Sequence, residues 1–348
     1  MKTSLKKLGY AGAFFLLFLV YGELDFRLLP HENQLEYDAD EELYSRIRPN
    51  QVGFVWMAGM TRKSPLMSIN SRGLRGPEVA INAPERIRIL ATGSSYALGS
   101  GVRDHETWTA QLQEQLQNRG WPIEVLNAGS AGWGPYQHAV FMEKHAAQFQ
   151  PRLLLILVSE KDKIVLPKSA EEKAVFLEEA QQRKMILAFS PFAAFLLRRI
   201  DFFYQHHKPN KAQPGLAARL RPEQRLAYLL ETHEPYWERI AAYAQAHKIP
   251  AVFFVLNADD SLVGAGLARR LRKLETNAAD IKVVVLTSGD VPEIAGQEAK
   301  AYVQKHLSIP DDGHPNAEYH RLMGAKLAGV FSALLPRLAN SHVQAPAQ

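Results

Sequence analysis

An α/β architecture built on a parallel sheet of about five strands is predicted by three observations. Short apolar runs alternate with stretches of helical spacing along most of the chain. One run, Leu153–Val158 (LLLILV), is apolar at every position, as a strand buried on both faces requires. The 348 residues, 47% hydrophobic and 22% charged, can bury a substantial core. Such alternation implies βαβ units with helices on both faces of the sheet. The expected result is a flavodoxin-like three-layer sandwich.

The elements follow in order. Leu8–Gly22 (LGYAGAFFLLFLVYG) is an uncharged, mostly apolar run behind Lys2, Lys6 and Lys7, and residues 1–22 contain no acid. Its length falls short of the ~20 residues that a bilayer core asks of a helix. Lysines can snorkel at one end, however, and Tyr21 suits the other interface. No small-x-small cleavage site follows; the chain continues Glu23-Leu24-Asp25-Phe26-Arg27. Residues 1–22 are therefore expected to be a cytoplasmic tip and single transmembrane anchor. Positive charge stays in the cytoplasm, which places the rest beyond the bacterial inner membrane, in the periplasm. A cleaved signal and a buried helix are the alternatives.

Residues 23–83 are polar and irregular, with an acidic patch at Glu36, Asp38, Asp40, Glu41 and Glu42, and suggest a stalk and lead-in. The main domain is expected over 84–338. Its strand candidates are Arg86–Thr92, Ile123–Asn127, Leu153–Val158, Ala251–Leu256 and Ile281–Leu286. Helical spacing covers Trp108–Asn118, Tyr136–Gln148, Pro235–His247, Val263–Leu274 and Pro315–Leu334. Residues 168–222 exceed the minimal alternation and form a helical insertion, with Ser190-Pro191 as a helix start. Met185–Leu197 is apolar but too short to span a membrane; it suits core packing, a groove wall or contact with a nearby bilayer. Residues 339–348 read as a flexible tail.

Chemistry concentrates in two loops. Gly93-Ser94-Ser95-Tyr96 follows the first strand, where a serine hydroxyl can sit at a helix N-terminus beside backbone N–H groups. Alone it is also an ordinary strand-to-helix turn. Asp311-Asp312-Gly313-His314-Pro315 precedes the last helix. A histidine there, oriented by the carboxylate of Asp311, can take a serine proton. By itself this is equally an acidic helix cap. Ligands of such sheets bind beyond the carboxyl ends of the strands, where both loops can meet.

In pattern the chain resembles the bacterial membrane-anchored SGNH (GDSL-like) hydrolases. The similarity is carried by Ser68–Glu78 (SINSRGLRGPE), Arg86–Val102 (RIRILATGSSYALGSGV), Val125–Gln137 (VLNAGSAGWGPYQ), Leu154–Asp162 (LLILVSEKD) and Asp311-x-x-His314, in that order. The resemblance implies Ser95 as nucleophile, His314 as general base and Asp311 as its orienting acid. It implies an oxyanion site at Gly132, with Lys161 standing where the family has asparagine. Ser94 likewise replaces the family's aspartate. The implied activity is hydrolysis of acyl esters, O-acetyl groups above all, on a cell-envelope glycan or a related molecule. A transferase using the same residues, or an inactive domain kept as a glycan-binding or assembly module, are the alternatives.

Other classes find little support. The pI is near 9.2, but three lysines at the N-terminus carry much of the +5 charge. No basic stripe for nucleic acid remains; Arg269, Arg270, Arg272 and Lys273 read as a solvated helix face. There are no cysteines, which excludes disulfides and thiolate metal sites. His206-His207 in a polar stretch is a poor metal pair. Gly99-Ser100-Gly101 lacks the third glycine of a dinucleotide loop, having Asp104 instead. No cofactor or metal is expected.

Overall fold

The computed structural model describes residues 2–29, 33–57, 61–80, 83–190, 192–193, 195–197, 200, 220–277, 280–295 and 297–340. They divide into two compact units, one of 1–33 with 168–216, the other of 34–167 with 217–348. His206, His207 and residues 341–348 of the expected tail lie outside the described residues, while 339–340 end the last helix.

The larger unit carries a five-stranded sheet of β1 (Ile87–Thr92), β2 (Ile123–Asn127), β3 (Leu153–Val158), β4 (Ala251–Asn257) and β5 (Ile281–Thr287). The order across the sheet is β5-β4-β3-β1-β2, and every pairing is parallel. The chain leaves β1 toward β2 and then returns to the other side of β1 as β3. That reversal opens a crevice at the carboxyl ends of β1 and β3.

Strand side chains alternate between two covered faces. Ile89, Ala91, Leu155, Leu157, Val252 and Phe254 form one core with Trp108, Leu112 and Leu116 of α1 (Trp108–Gln117) and Met323, Leu327 and Phe331 of α5 (Ala317–Asn340). The alternate positions Leu90, Leu154, Ile156, Phe253 and Val255 are buried as well. They face the side covered by α2 (Pro135–His145), α3 (Pro222–His247) and α4 (Leu262–Asn277), which pack in series. α3 starts earlier than periodicity suggested, at Pro222, and carries Pro235 within it.

Residues 34–80 are no free stalk. They fold into three short antiparallel pairs, 37–38 with 46–47, 51–53 with 67–69, and 56–57 with 62–63. Leu35, Ile47, Met67 and Ile69 pack on Leu98, beside the first loop. Strands of two or three residues are too short to show a period, which is why the sequence reads as irregular.

In the smaller unit, Lys2–Leu28 form one continuous helix that contains the expected anchor. Among the described residues, no helix is long and apolar enough to cross a membrane. The reason lies in the composition: the apolar run of 8–22 rises only ~22 Å as a helix, against ~30 Å of hydrocarbon, and Glu23, Asp25 and Arg27 follow it. A second helix, Ala170–Phe189, starts with a capping box in which Ser169 and Glu172 satisfy each other's N–H groups.

Candidate active site

The first loop is shaped by close approaches. Gly93 has φ 157°, and a β-carbon there would sit 2.5 Å from that of Ala97. Ser95–Leu98 then makes one helical turn, closed by left-handed Gly99. Arg75, buried beneath this turn, donates to the carbonyls of Leu98, Gly99 and Val102 and pairs with Asp104. Asn127, at the end of β2, donates to the Ala97 carbonyl and accepts from the Gly129 N–H. Ser95 is thereby held at the mouth of the crevice.

The second loop returns through a bridge between Ser308 and Pro315, with the Ile309 N–H donating to the His314 carbonyl. Tyr96 ties the loops together: its hydroxyl donates to the Gly313 carbonyl over 2.8 Å, and its ring lies 5.1 Å from the imidazole. The His314 Nε2 lies 2.8 Å from the Ser95 hydroxyl. Its Nδ1 bonds the Asp312 carboxylate. With Nδ1–H donating to the Asp312 carboxylate, Nε2 is the acceptor for the serine hydroxyl; this tautomer is assigned from the partners.

The orienting carboxylate is therefore Asp312, where sequence reading placed Asp311. Asp311 is exposed, at φ 61°, and turns the chain. Asp312 is only 8% exposed in its side chain. Neighbouring acids one residue apart differ in direction, and only the turn decides which meets the imidazole.

Gly132 occupies a left-handed position, φ 82°, in the loop after β2. Neither its N–H nor that of Ser95 donates to an acceptor among the described residues. Lys161 does something other than the resemblance implied: its ammonium pairs with Glu160 at 3.0 Å, and its side chain is 54% exposed. The ammonium beside Gly132 is that of Lys163, 3.6 Å from where a β-carbon on that glycine would sit. Nothing in the sequence separates the two lysines; Tyr96 and Arg75 were also unrecognised, although Arg75 lies within the Arg-Gly-Pro-Glu stretch.

Behind the loop sits a buried polar layer. Asp162 accepts from the Ser159 N–H at 3.0 Å through one oxygen, while its Oδ1 is buried without a hydrogen-bond partner among the described residues, near the Ser94 hydroxyl. Burial pushes its carboxyl up to about 7, against the pull of the Ser159 N–H and the nearby Ser94 hydroxyl. Burial holds His138 down to about 3 and His233 to about 4. His320, also near 3, accepts at Nδ1 from the Trp108 N–H. All three imidazoles are neutral at ordinary pH. Among the described residues no group of three metal-ligating side chains is assembled.

No protein-family model and no curated protein matches the chain. Among solved structures it is similar to a lipolytic protein of the G-D-S-L family from Desulfitobacterium hafniense, at 15% identity and TM-score 0.40, covering 70% of this chain and 99% of that one. A psychrotrophic esterase from Pseudoalteromonas sp. matches at 11% identity and TM-score 0.41, covering 72% and 99%. An acetyl xylan esterase matches at 15% and 0.41, covering 70% and 99%. Similarity this low carries no weight for function, so the site must be read from its own geometry.

Proposed function

We propose that the chain is a serine esterase of the SGNH type, cleaving acyl esters, in the first instance O-acetyl groups, of an envelope glycan or a related polar molecule. The observation that carries this reading is the line Ser95–His314–Asp312, closed by the 2.8 Å contact of imidazole and hydroxyl.

In this reading Ser95 attacks the ester carbonyl as its proton passes to Nε2 of His314. Asp312 holds the imidazolium that results. The N–H groups of Ser95 and Gly132 receive the oxyanion. His314 then protonates the leaving alkoxide, and an acyl-serine remains. Water then attacks the acyl carbonyl as its proton passes to His314, and collapse breaks the bond to Ser95, whose oxygen takes that proton back from His314 as the carboxylic acid leaves.

The two departures from the family pattern fit a working site. Ser94 is buried near Asp162, away from the imidazole, and Lys161 is held by Glu160, so neither interrupts the relay. The glycan itself is supported by the motif resemblance alone. With it goes a proposed location: the inner membrane, with the larger unit in the periplasm, supported by the apolar run at 8–22, whose ~22 Å helical rise is extended toward the two bilayer faces by snorkelling lysines and by Tyr21. Turnover of p-nitrophenyl acetate by the purified chain, lost in Ser95→Ala, tests the activity. A Ser95→Ala variant as active as wild type would refute it.

A further inference from the structure

The helical insertion makes specific contacts with the N-terminal helix that esterase chemistry does not use. Glu23, just past the apolar run, accepts from the Ser190 hydroxyl and from the Phe192 N–H. Phe192 lies over Gly22, where a β-carbon would come within 2.4 Å of its ring. Its ring centroid is 5.3 Å from that of Phe18 and 5.7 Å from that of Phe26, and Phe195 lies 5.0 Å from Phe26. Gly22 thus provides a notch that Phe192 fills, with Phe195 packed beside it on Phe26.

The assembled unit remains apolar outside. Apart from Val52, Leu66, Leu166 and Leu262, the large hydrophobic side chains that stand exposed among the described residues all belong to it. Phe14, Phe15, Leu16, Leu17 and Phe18 are exposed at 75, 61, 62, 66 and 46%. Five successive helical positions point in every direction around the axis. A protein partner would cover one stripe, whereas a helix apolar all round is matched by hydrocarbon. Leu197 and Ile200 on the insertion are exposed at 44 and 61%. The helix opens on Lys2, Lys6 and Lys7 with no acid through residue 22, a charge that complements anionic headgroups.

We propose that Phe192, Phe195, Leu197 and Ile200 belong to a second membrane-contacting element, seated through Phe192 in the Gly22 notch and embedded with the N-terminal helix in an anionic bilayer. This rests on the membrane location proposed above and extends it to a segment 170 residues further along the chain. Its role is to fix the exit of the N-terminal helix at the lipid surface.

The absence of cysteine allows a direct test on the full chain. Single substitutions Phe15→Cys, Leu197→Cys, Ile200→Cys and Leu262→Cys are labelled with nitrobenzoxadiazole and reconstituted in phosphatidylethanolamine–phosphatidylglycerol vesicles carrying a doxyl-lipid quencher. Blue-shifted, quenched emission is expected at 15, 197 and 200 but not at 262. Quenching at 15 without quenching at 197 and 200 would overturn the inference and leave the anchor standing. No quenching at any of these positions would overturn both. Equal quenching at 262 would overturn the inference too, because contact with lipid would then not be confined to this unit.

Discussion

Across 219 residues of chain, the Nε2 of His314 and the hydroxyl of Ser95 meet at 2.8 Å. Two loops at carboxyl ends of the sheet produce this contact, and Tyr96 fastens one to the other through Gly313. The imidazole is fixed from its far side by Asp312.

Asp312 and Asp311 should therefore behave very differently. Asp312→Asn removes the acceptor that sets the imidazole tautomer, and a loss of about 10²–10⁴ in kcat is expected. Asp311→Asn keeps a residue that tolerates positive φ and should stay within a few-fold of wild type. Steady-state kinetics on both variants check this. A larger loss at Asp311 would mean that the working loop pairs the other acid.

The two lysines make a second contrast. Lys163, beside Gly132, can act on developing negative charge, while Lys161 is engaged by Glu160. Lys163→Ala should lower kcat by about tenfold, less than the ~10²–10³ of a fully enclosed donor, because the side chain is exposed. The loss should shrink in high salt. Lys161→Ala should leave turnover nearly unchanged, and the reverse ranking would restore the role that the resemblance gives Lys161.

Much of this was legible beforehand, for physical reasons that differ from residue to residue. Leu153–Val158 announces a central strand because both faces exclude water, and Ser95 and His314 stand out because Ser95 follows the first strand in a glycine-flanked turn and His314 shortly precedes the last helix beside two acids. The choice between Asp311 and Asp312 was not legible, since it depends on one left-handed turn. Residues 34–80 hid their packing because their strands, two or three residues long, are too short to repeat the two-residue alternation. The seat of Phe192 on Gly22 is a contact between distant segments, and no local pattern encodes it.

Buried titratable groups set the pH dependence of stability. His138, His233 and His320 have folded values near 3 to 4, below the unfolded value of about 6.5. Between those limits the unfolded chain binds more protons, so each makes stability rise with pH. Asp162 has the opposite sign. Its folded value of about 7 exceeds the unfolded ~3.9, so its contribution falls as pH rises between them. Denaturant midpoints should climb from about pH 4 to about pH 6.5. Asp162→Asn should steepen that climb, and a flatter profile in this variant would contradict the assignment.

Arg75 links the lead-in to the turn that carries Ser95. Arg75→Ala leaves three carbonyls and Asp104 without their donor and should cost about 3–5 kcal/mol, read from chemical denaturation. Arg75→Lys should recover little, because an ammonium cannot reproduce the planar fork that reaches all of them. Full recovery by lysine would show that charge alone matters.

The most direct measurement is covalent labelling of the purified chain by a fluorophosphonate, located by peptide mass spectrometry. The phosphonyl group should be found on Ser95, abolished in Ser95→Ala and reduced by at least about 10³-fold in rate in His314→Ala. Ser94→Ala should still be labelled. A wild-type chain that stays unlabelled, or one labelled at another serine, would contradict the assignment of Ser95 and His314 as the working pair.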